Sequence, residues 1–157
     1  MIEITRIDER FGRWDELLAL ILSSFAYMDG VIDPPSSAHK LSLAALAQKV
    51  RDEIAFAALE NGRLVGCVFC KPEPGFLYIG KFAISPAHQG KGIGRKLLSV
   101  AEEIARKRGL PALRLETRIE LVANHETFAR WGFSKTAENS HGGFTRITSI
   151  EMQKRLP

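Results

Sequence analysis

A chain of 157 residues, 45% hydrophobic and 25% charged, has the composition of one globular domain with a real core, spanning residues 1–157. No apolar run reaches a membrane span, and Met1-Ile2-Glu3-Ile4 lacks the basic-then-apolar order of a signal peptide, so no membrane is expected and the cytoplasm is the default. The net charge of +4 permits nucleic acid or an acidic ligand, but the basic residues are dispersed without a nucleic-acid motif, and a polyanionic small molecule explains the charge as well.

Ile2–Ile7 reads as a first strand. Trp14, Leu17, Leu18, Ile21, Leu22 and Phe25 recur at three-and-four spacing, the pattern of an amphipathic helix that Asp29-Gly30 ends. Asp33-Pro34-Pro35-Ser36-Ser37 is a loop leading to a second helix, roughly 38–50, with Leu43, Leu46, Ala47 and Val50 on one face. Strands then follow at 54–60 and 63–71 around Asn61-Gly62, a strong hairpin signal because a type I′ turn needs positive φ twice. Pro72 to Gly75 turns the chain into a strand at 76–85.

Cys67 and Cys70 form a C-x-x-C, but three residues apart on a strand they face opposite sides. No second Cys/His pair completes a zinc site, so buried free thiols and no metal are expected. After Pro86, Ile93, Leu97, Ala101, Ile104 and Ala105 mark the buried stripe of a helix ended by Gly109 and Pro111, with Arg106-Lys107-Arg108 at its solvated end. A strand at 113–117 completes a parallel β-α-β unit. A helix at about 121–131, a strand from Gly132-Phe133 to about Thr136, and a last strand at about 144–152 finish an α+β chain.

The stretch Gln89-Gly90-Lys91-Gly92-Ile93-Gly94-Arg95 connects a strand to a helix without proline, so every backbone N–H remains available. A helix N-terminus leaves such groups unpaired and carries about half a positive charge. Glycines permit close approach, and Lys91, Arg95 and Lys96 add charge, which makes an anion site suited to a diphosphate. A Walker A loop does not fit, because Arg95-Lys96 follows Gly94 with no hydroxyl residue for magnesium. A dinucleotide loop does not fit either: the third glycine falls on Arg95 or Leu97, although Glu116 stands about where a ribose-binding acid would.

The run resembles the pyrophosphate loop of the GCN5-related N-acetyltransferases (GNAT), [QR]-x-x-G-x-[GA]. Ile84-x-Pro86 before it and Gly132-Phe133 after a short helix resemble that family's neighbouring motifs, and the order of elements agrees over nearly the whole chain. The resemblance implies a mixed six- to seven-stranded sheet, antiparallel in its N-terminal half and parallel at the glycine crossover, with about four helices. It implies acetyl-CoA as co-substrate, with Gln89, Gly90, Lys91, Gly92, Ile93, Gly94 and Arg95 at the pyrophosphate. Phe82, Ala83 and Ile84 would lie along the pantetheine arm, a backbone N–H near Phe82 or Ala83 would steady the thioester oxygen, and Asn124 and Phe128 would border the coenzyme.

The family's usual acid is a tyrosine four residues before the Gly-Phe glycine; here that position is Phe128, and the usual early asparagine falls on Leu121. Tyr78 is the tyrosine nearest the chemistry, on the face of Gly80 and Phe82 if pairing is regular; its alternative is a packed strand residue with a wet hydroxyl. Glu116, His125, His141 and Asp33 are candidate bases. Glu116 is the best placed, against the ordinary role of a surface carboxylate paired with Arg114 or Arg118. Acceptor recognition is assigned by resemblance to the segment between the first two helices, where Tyr27, Asp29 and Asp33 are candidates for a cationic amine, and to the loop before the last strand. These readings give an N-acetyltransferase acting on a primary amine of a small molecule or peptide by direct transfer, as a monomer or homodimer. The alternative is a catalytically weak acyl-CoA sensor of the same fold.

Overall fold

In the computed structural model, which describes residues 1–157, hairpin chemistry builds half of the sheet. Strands β1 (Ile2–Ile7), β2 (Ile54–Glu60), β3 (Arg63–Glu73) and β4 (Phe76–Ile84) pair antiparallel in that order. Asn61 and Gly62 take φ of 51° and 80°, the twice-positive turn their dipeptide predicts. β4 lies parallel to β5 (Ala112–Arg118), and antiparallel β7 (Ser149–Arg155) and β6 (Ser134–Asn139) complete the order β1-β2-β3-β4-β5-β7-β6. Seven strands with one parallel pair fulfil the expected mixed sheet.

The apolar stripes settle which helix covers which face. Helix α1 (Trp14–Phe25) buries Leu17, Leu20 and Ile21, and α2 (Leu43–Asp52) buries Leu46 and Val50, against Ala55, Ala57, Cys67, Phe69 and Ala83. On the other face α3 (Ile93–Lys107) buries Ile93, Leu97, Leu98, Ala101 and Ala105 against Val68, Cys70, Leu77, Ile79 and Leu113. Fully burying a leucine, isoleucine, valine or phenylalanine among these contributes about 1.5–3 kcal/mol, so each face is a substantial core. Cys67 and Cys70 divide between the two cores, and burial pushes both thiols up to about 12. The short α4 (Val122–Arg130) has no buried residue and holds Phe128 and the following Trp131 against the α3 core. No helix is long and apolar enough to cross a membrane.

Three expectations are corrected. The helix at 38–50 is two pieces, a 3₁₀ turn at Ser37–Lys40 and α2. The side chain of Ser42 accepts from Ala45 N–H as an N-cap and restarts the chain there, which leaves Leu43 exposed rather than on the buried face. The last strand begins at Ser149, not Phe144, because Thr148 N–H bonds to Asn139 O only after a turn through Gly142 and Gly143.

The third correction shapes the site. Cys67 pairs with Ala83 but Phe69 pairs with Gly80, so Val68 alone faces Lys81 and Phe82. This β-bulge sits at Lys81, whose φ is +42°, and the extra residue reverses the alternation of β4. Leu77 and Ile79 before it, and Phe82 and Ile84 after it, therefore all lean on the α3 core. Phe82 lies opposite Tyr78 and Gly80, not on their face.

Candidate functional site

The parallel pairing of β4 with β5 covers only Leu77 with Leu113 and Tyr78 with Arg114. Beyond Tyr78 the strands diverge, and two cavities meet at the opening. One, of about 430 Å³, runs from Phe82, Ala83 and Ile84 to the start of α3 and the side of α4. The other, of about 590 Å³, lies on the α1/α2 side between β4, β5 and the 25–40 segment. Phe25, Met28, Phe82, Asn124 and Phe128 line both.

The first cavity is built for an anion at one end. Gly90 and Gly92 both have φ of +79°, and a Cβ on either would meet nothing, so conformation rather than space calls for glycine there. Gly92 caps α3 without any side-chain hydrogen bond, which leaves the first-turn N–H groups to a ligand. Arg95 reaches over Trp131, 6.0 Å from the ring centroid, and with Arg130 supplies positive charge beside that end. Further along, the hydroxyl of Ser24 is buried on the cavity wall with no hydrogen-bond partner. A long ligand with a diphosphate at one end and amides along its length fits these groups, as coenzyme A requires.

Gly94 serves a different purpose. A methyl group on it would lie 3.1 Å from Phe82 and 3.1 Å from Trp131. These rings join Phe128 and Phe133 in a cluster with centroids 5.8–6.3 Å apart, so the position expected to hold an acid hydroxyl is apolar packing. Asn124, one turn before Phe128, donates to the Tyr27 hydroxyl at 3.0 Å and ties α4 to the end of α1.

In the second cavity, burial first, and then the carboxylates of Glu116, Glu53 and Glu151, push the Tyr78 phenol up to about 12. Glu116 accepts from Ser149 Oγ at 3.3 Å and has no arginine partner: Arg114 turns to Gln153 and Glu151, and Arg118 donates to Pro34 O and Pro35 O. His141 lines the same space, with its N–H on Thr148 Oγ1 at 2.9 Å and its Nδ1 paired with that oxygen. Lys81 lies half-buried and donates to Ser37 Oγ at 2.9 Å. Burial first, and then repulsion from Lys49, lowers its pKa.

The structure thus brings Tyr78, Glu116 and His141 to one cavity, and Phe82, Ala83, Ile84, Gln89, Gly90, Gly92, Ile93, Gly94 and Arg95 to the other. Lys91 borders neither. Tyr27 lines the first cavity, not the second. Asp29 pairs with His39 at 2.7 Å and Asp33 with Arg146 at 3.5 Å, and neither lines the second cavity. His125 Nε2 lies 2.9 Å from Arg118 O, at the end of β5. Sequence reasoning missed Ser24, Arg130 and Trp131 in the first cavity and Lys40, Lys49, Lys81 and Arg118 in the second. For Ser24 a signal was present: it continues the buried stripe of Leu17 and Ile21 as a polar residue.

The family model described as "Acetyltransferase (GNAT) family" matches residues 14–133. A protein named IAA acetyltransferase, from Azospirillum brasilense, is 32% identical over 123 residues, covering 76% of this chain and 78% of that protein. N-alpha-acetyltransferase 30 of Schizosaccharomyces pombe is 33% identical over 88 residues, 53% of this chain and 59% of its own length. PaiA N-acetyltransferase from Thermoplasma acidophilum, crystallised with coenzyme A, shares the fold at a TM-score of 0.83 and 20% identity, covering 99% of both chains. The matching motifs, the shared fold and these relatives agree: the chain belongs to the acetyltransferase (GNAT) family.

Proposed function

We propose that the protein moves an acetyl group from acetyl-CoA to a primary amine by direct transfer, with both substrates bound at once. The observation that carries this reading is the meeting of two cavities where β4 and β5 part, one with an anion-binding helix end and the other with a free carboxylate. Both thiols are buried and neither lines a cavity, so no cysteine is available to carry the acetyl group.

Acetyl-CoA supplies an activated acyl carbon. An attacking amine with a free pKa near 10 must shed a proton, and Glu116, which faces the acceptor side without an arginine partner, takes it directly or through water. The new N–C bond forms as the C–S bond breaks. No hydroxyl stands at Phe128 to protonate the sulfur, and a thiolate of pKa about 8.5 leaves without that help. The Tyr78 phenol, protonated at neutral pH, is available as a donor from the acceptor side.

Thiol release from acetyl-CoA over a panel of amines, with the product identified by mass, tests this reading. Glu116→Gln should lower kcat by about 10²-fold with little change in the KM for acetyl-CoA. In thermal shift, coenzyme A at a hundred times its Kd should stabilise by about 2.7 kcal/mol. Stabilisation by ATP or NADH but by neither CoA species would contradict the reading. The aromatic cluster around Phe128 favours the second reading, an acyl-CoA sensor with little turnover; binding of CoA without thiol release on any amine would select it.

A further inference from the structure

The charge of the second cavity is opposite to what a simple cationic amine needs. Lys40, Lys49, Lys81 and Arg118 line it, and Glu116 is its single carboxylate. Lys49 is neutralised by Glu53 at 2.6 Å, but Lys40, Lys81 and Arg118 form no salt bridge. Lys49 and Arg118 both repel the half-buried Lys81, and an anion beside it relieves that repulsion. The hydrogen-bond partners are neutral, Ser37 Oγ for Lys81 and two proline carbonyls for Arg118, while the nearest carboxylates, Glu53 for Lys81 and Glu120 and Asp33 for Arg118, make no salt bridge with them. Each keeps donor capacity for a ligand, since an ammonium has three donors and a guanidinium five.

The cavity is also walled. Arg146 donates to Asp33 O at 2.8 Å, Asp33 N–H donates to Glu120 at 3.3 Å, and Arg118 holds Pro34 O at 2.6 Å. These bonds strap the segment between α1 and α2 to the end of β5 and to the loop before β7. A polypeptide acceptor would have to pass between loops that are tied together.

We propose that the acceptor is a small amine that also carries an anionic group, a carboxylate or a phosphate, held by Lys81, Arg118 and Lys40 while its amine lies toward Glu116. The inference rests on the transferase reading and narrows its substrate class. Glu116 then serves the amine, and the cations select the far end of the molecule.

The test compares acceptors that share one carbon skeleton: an amino acid against its amide, and an amino-alcohol phosphate against the free amino alcohol. Each is measured by kcat/KM and by calorimetric binding to the CoA-loaded protein. The anionic member should be favoured by about tenfold or more, the size of a charge-assisted hydrogen bond. That preference should fall in Lys81→Gln and persist in Lys81→Arg, while the Kd for CoA stays unchanged. Whichever pair shows the larger preference identifies the anion.

Equal or better use of the neutral member, or of a peptide amino terminus, would overturn the inference and leave acetyl transfer standing. Selective binding of the anionic member without turnover would support the anion site and count against the transferase reading. Absence of both would overturn both.

Discussion

Gly94 lies so close to Trp131 that a methyl group on it would sit 3.1 Å from Cη2 of the ring. Phe82 crowds it equally from the sheet side, so the first turn of α3 is pressed against the aromatic cluster beside the first cavity. Gly94→Ala should cost about 1–3 kcal/mol by overpacking. Urea unfolding should show a smaller cost in a Trp131→Leu background. Equal costs in both backgrounds would place the crowding elsewhere.

Gly92 has the opposite character, with open space and a left-handed backbone at φ +79°. Gly92→Ala should cost about 1–2 kcal/mol through backbone strain, and Gly92→Asn less, because asparagine visits that region more readily. If this conformation aims the α3 N–H groups at the pyrophosphate, calorimetry should show weaker CoA binding in Gly92→Ala. Unchanged affinity in a folded variant would move the pyrophosphate elsewhere.

Much of this architecture was legible because its signals are local. Periodicity located α1 and α3, Asn61-Gly62 located the hairpin, and Gly109 with Pro111 located the end of α3. The glycine run points to an anion for the same reason: its left-handed turns and the uncapped start of α3 belong to one short stretch. The break before α2 is also readable in principle, since Ser42 is an ordinary N-cap, but Ser36, which accepts from Ala38 N–H, offers the same signal six residues earlier.

The second cavity was not readable in the sequence. Lys81 takes a positive φ that no local signal in the sequence marks, and the bulge there decides which face Phe82 joins. Asp29 and Asp33 read in the sequence as candidates for an amine, and only the fold shows that their carboxylates pair with His39 and with Arg146, 113 residues along the chain. The four cations come from a 3₁₀ turn, a helix and two strands, and only the folded sheet brings them to one cavity.

Phe128 stands where the two cavities meet, with its ring against Trp131 and Phe133. Phe128→Tyr would add a hydroxyl at that opening. We expect kcat to rise by about tenfold, less than the hundredfold or more common for general acids, because a thiolate already leaves readily. Steady-state rates on the best amine check this; a fall in kcat with intact CoA affinity would mean that the apolar contact matters more than the proton.

Alkaline pH should destabilise the fold. Burial raises Cys67 and Cys70 from 9.0, and Tyr78 from 10.0, to about 12. A raised folded-state pKa contributes stability that is fully present below the unfolded value and is lost as pH climbs toward the folded one. Stability should therefore decline between about pH 9 and pH 12, by on the order of 2 kcal/mol per thiol at pH 11. Urea midpoints from pH 8 to pH 11 measure the decline, and Cys67→Ala should flatten it. A slope unchanged by that substitution would assign the effect to other groups.

Direct transfer requires that both cavities be filled at once when the acetyl group moves. An initial-rate matrix, varying acetyl-CoA against an anionic amine that the protein acetylates, tests it most directly. The account predicts intersecting double-reciprocal lines, the pattern of a ternary complex. Parallel lines, the mark of a covalent acetyl-protein intermediate, would contradict it.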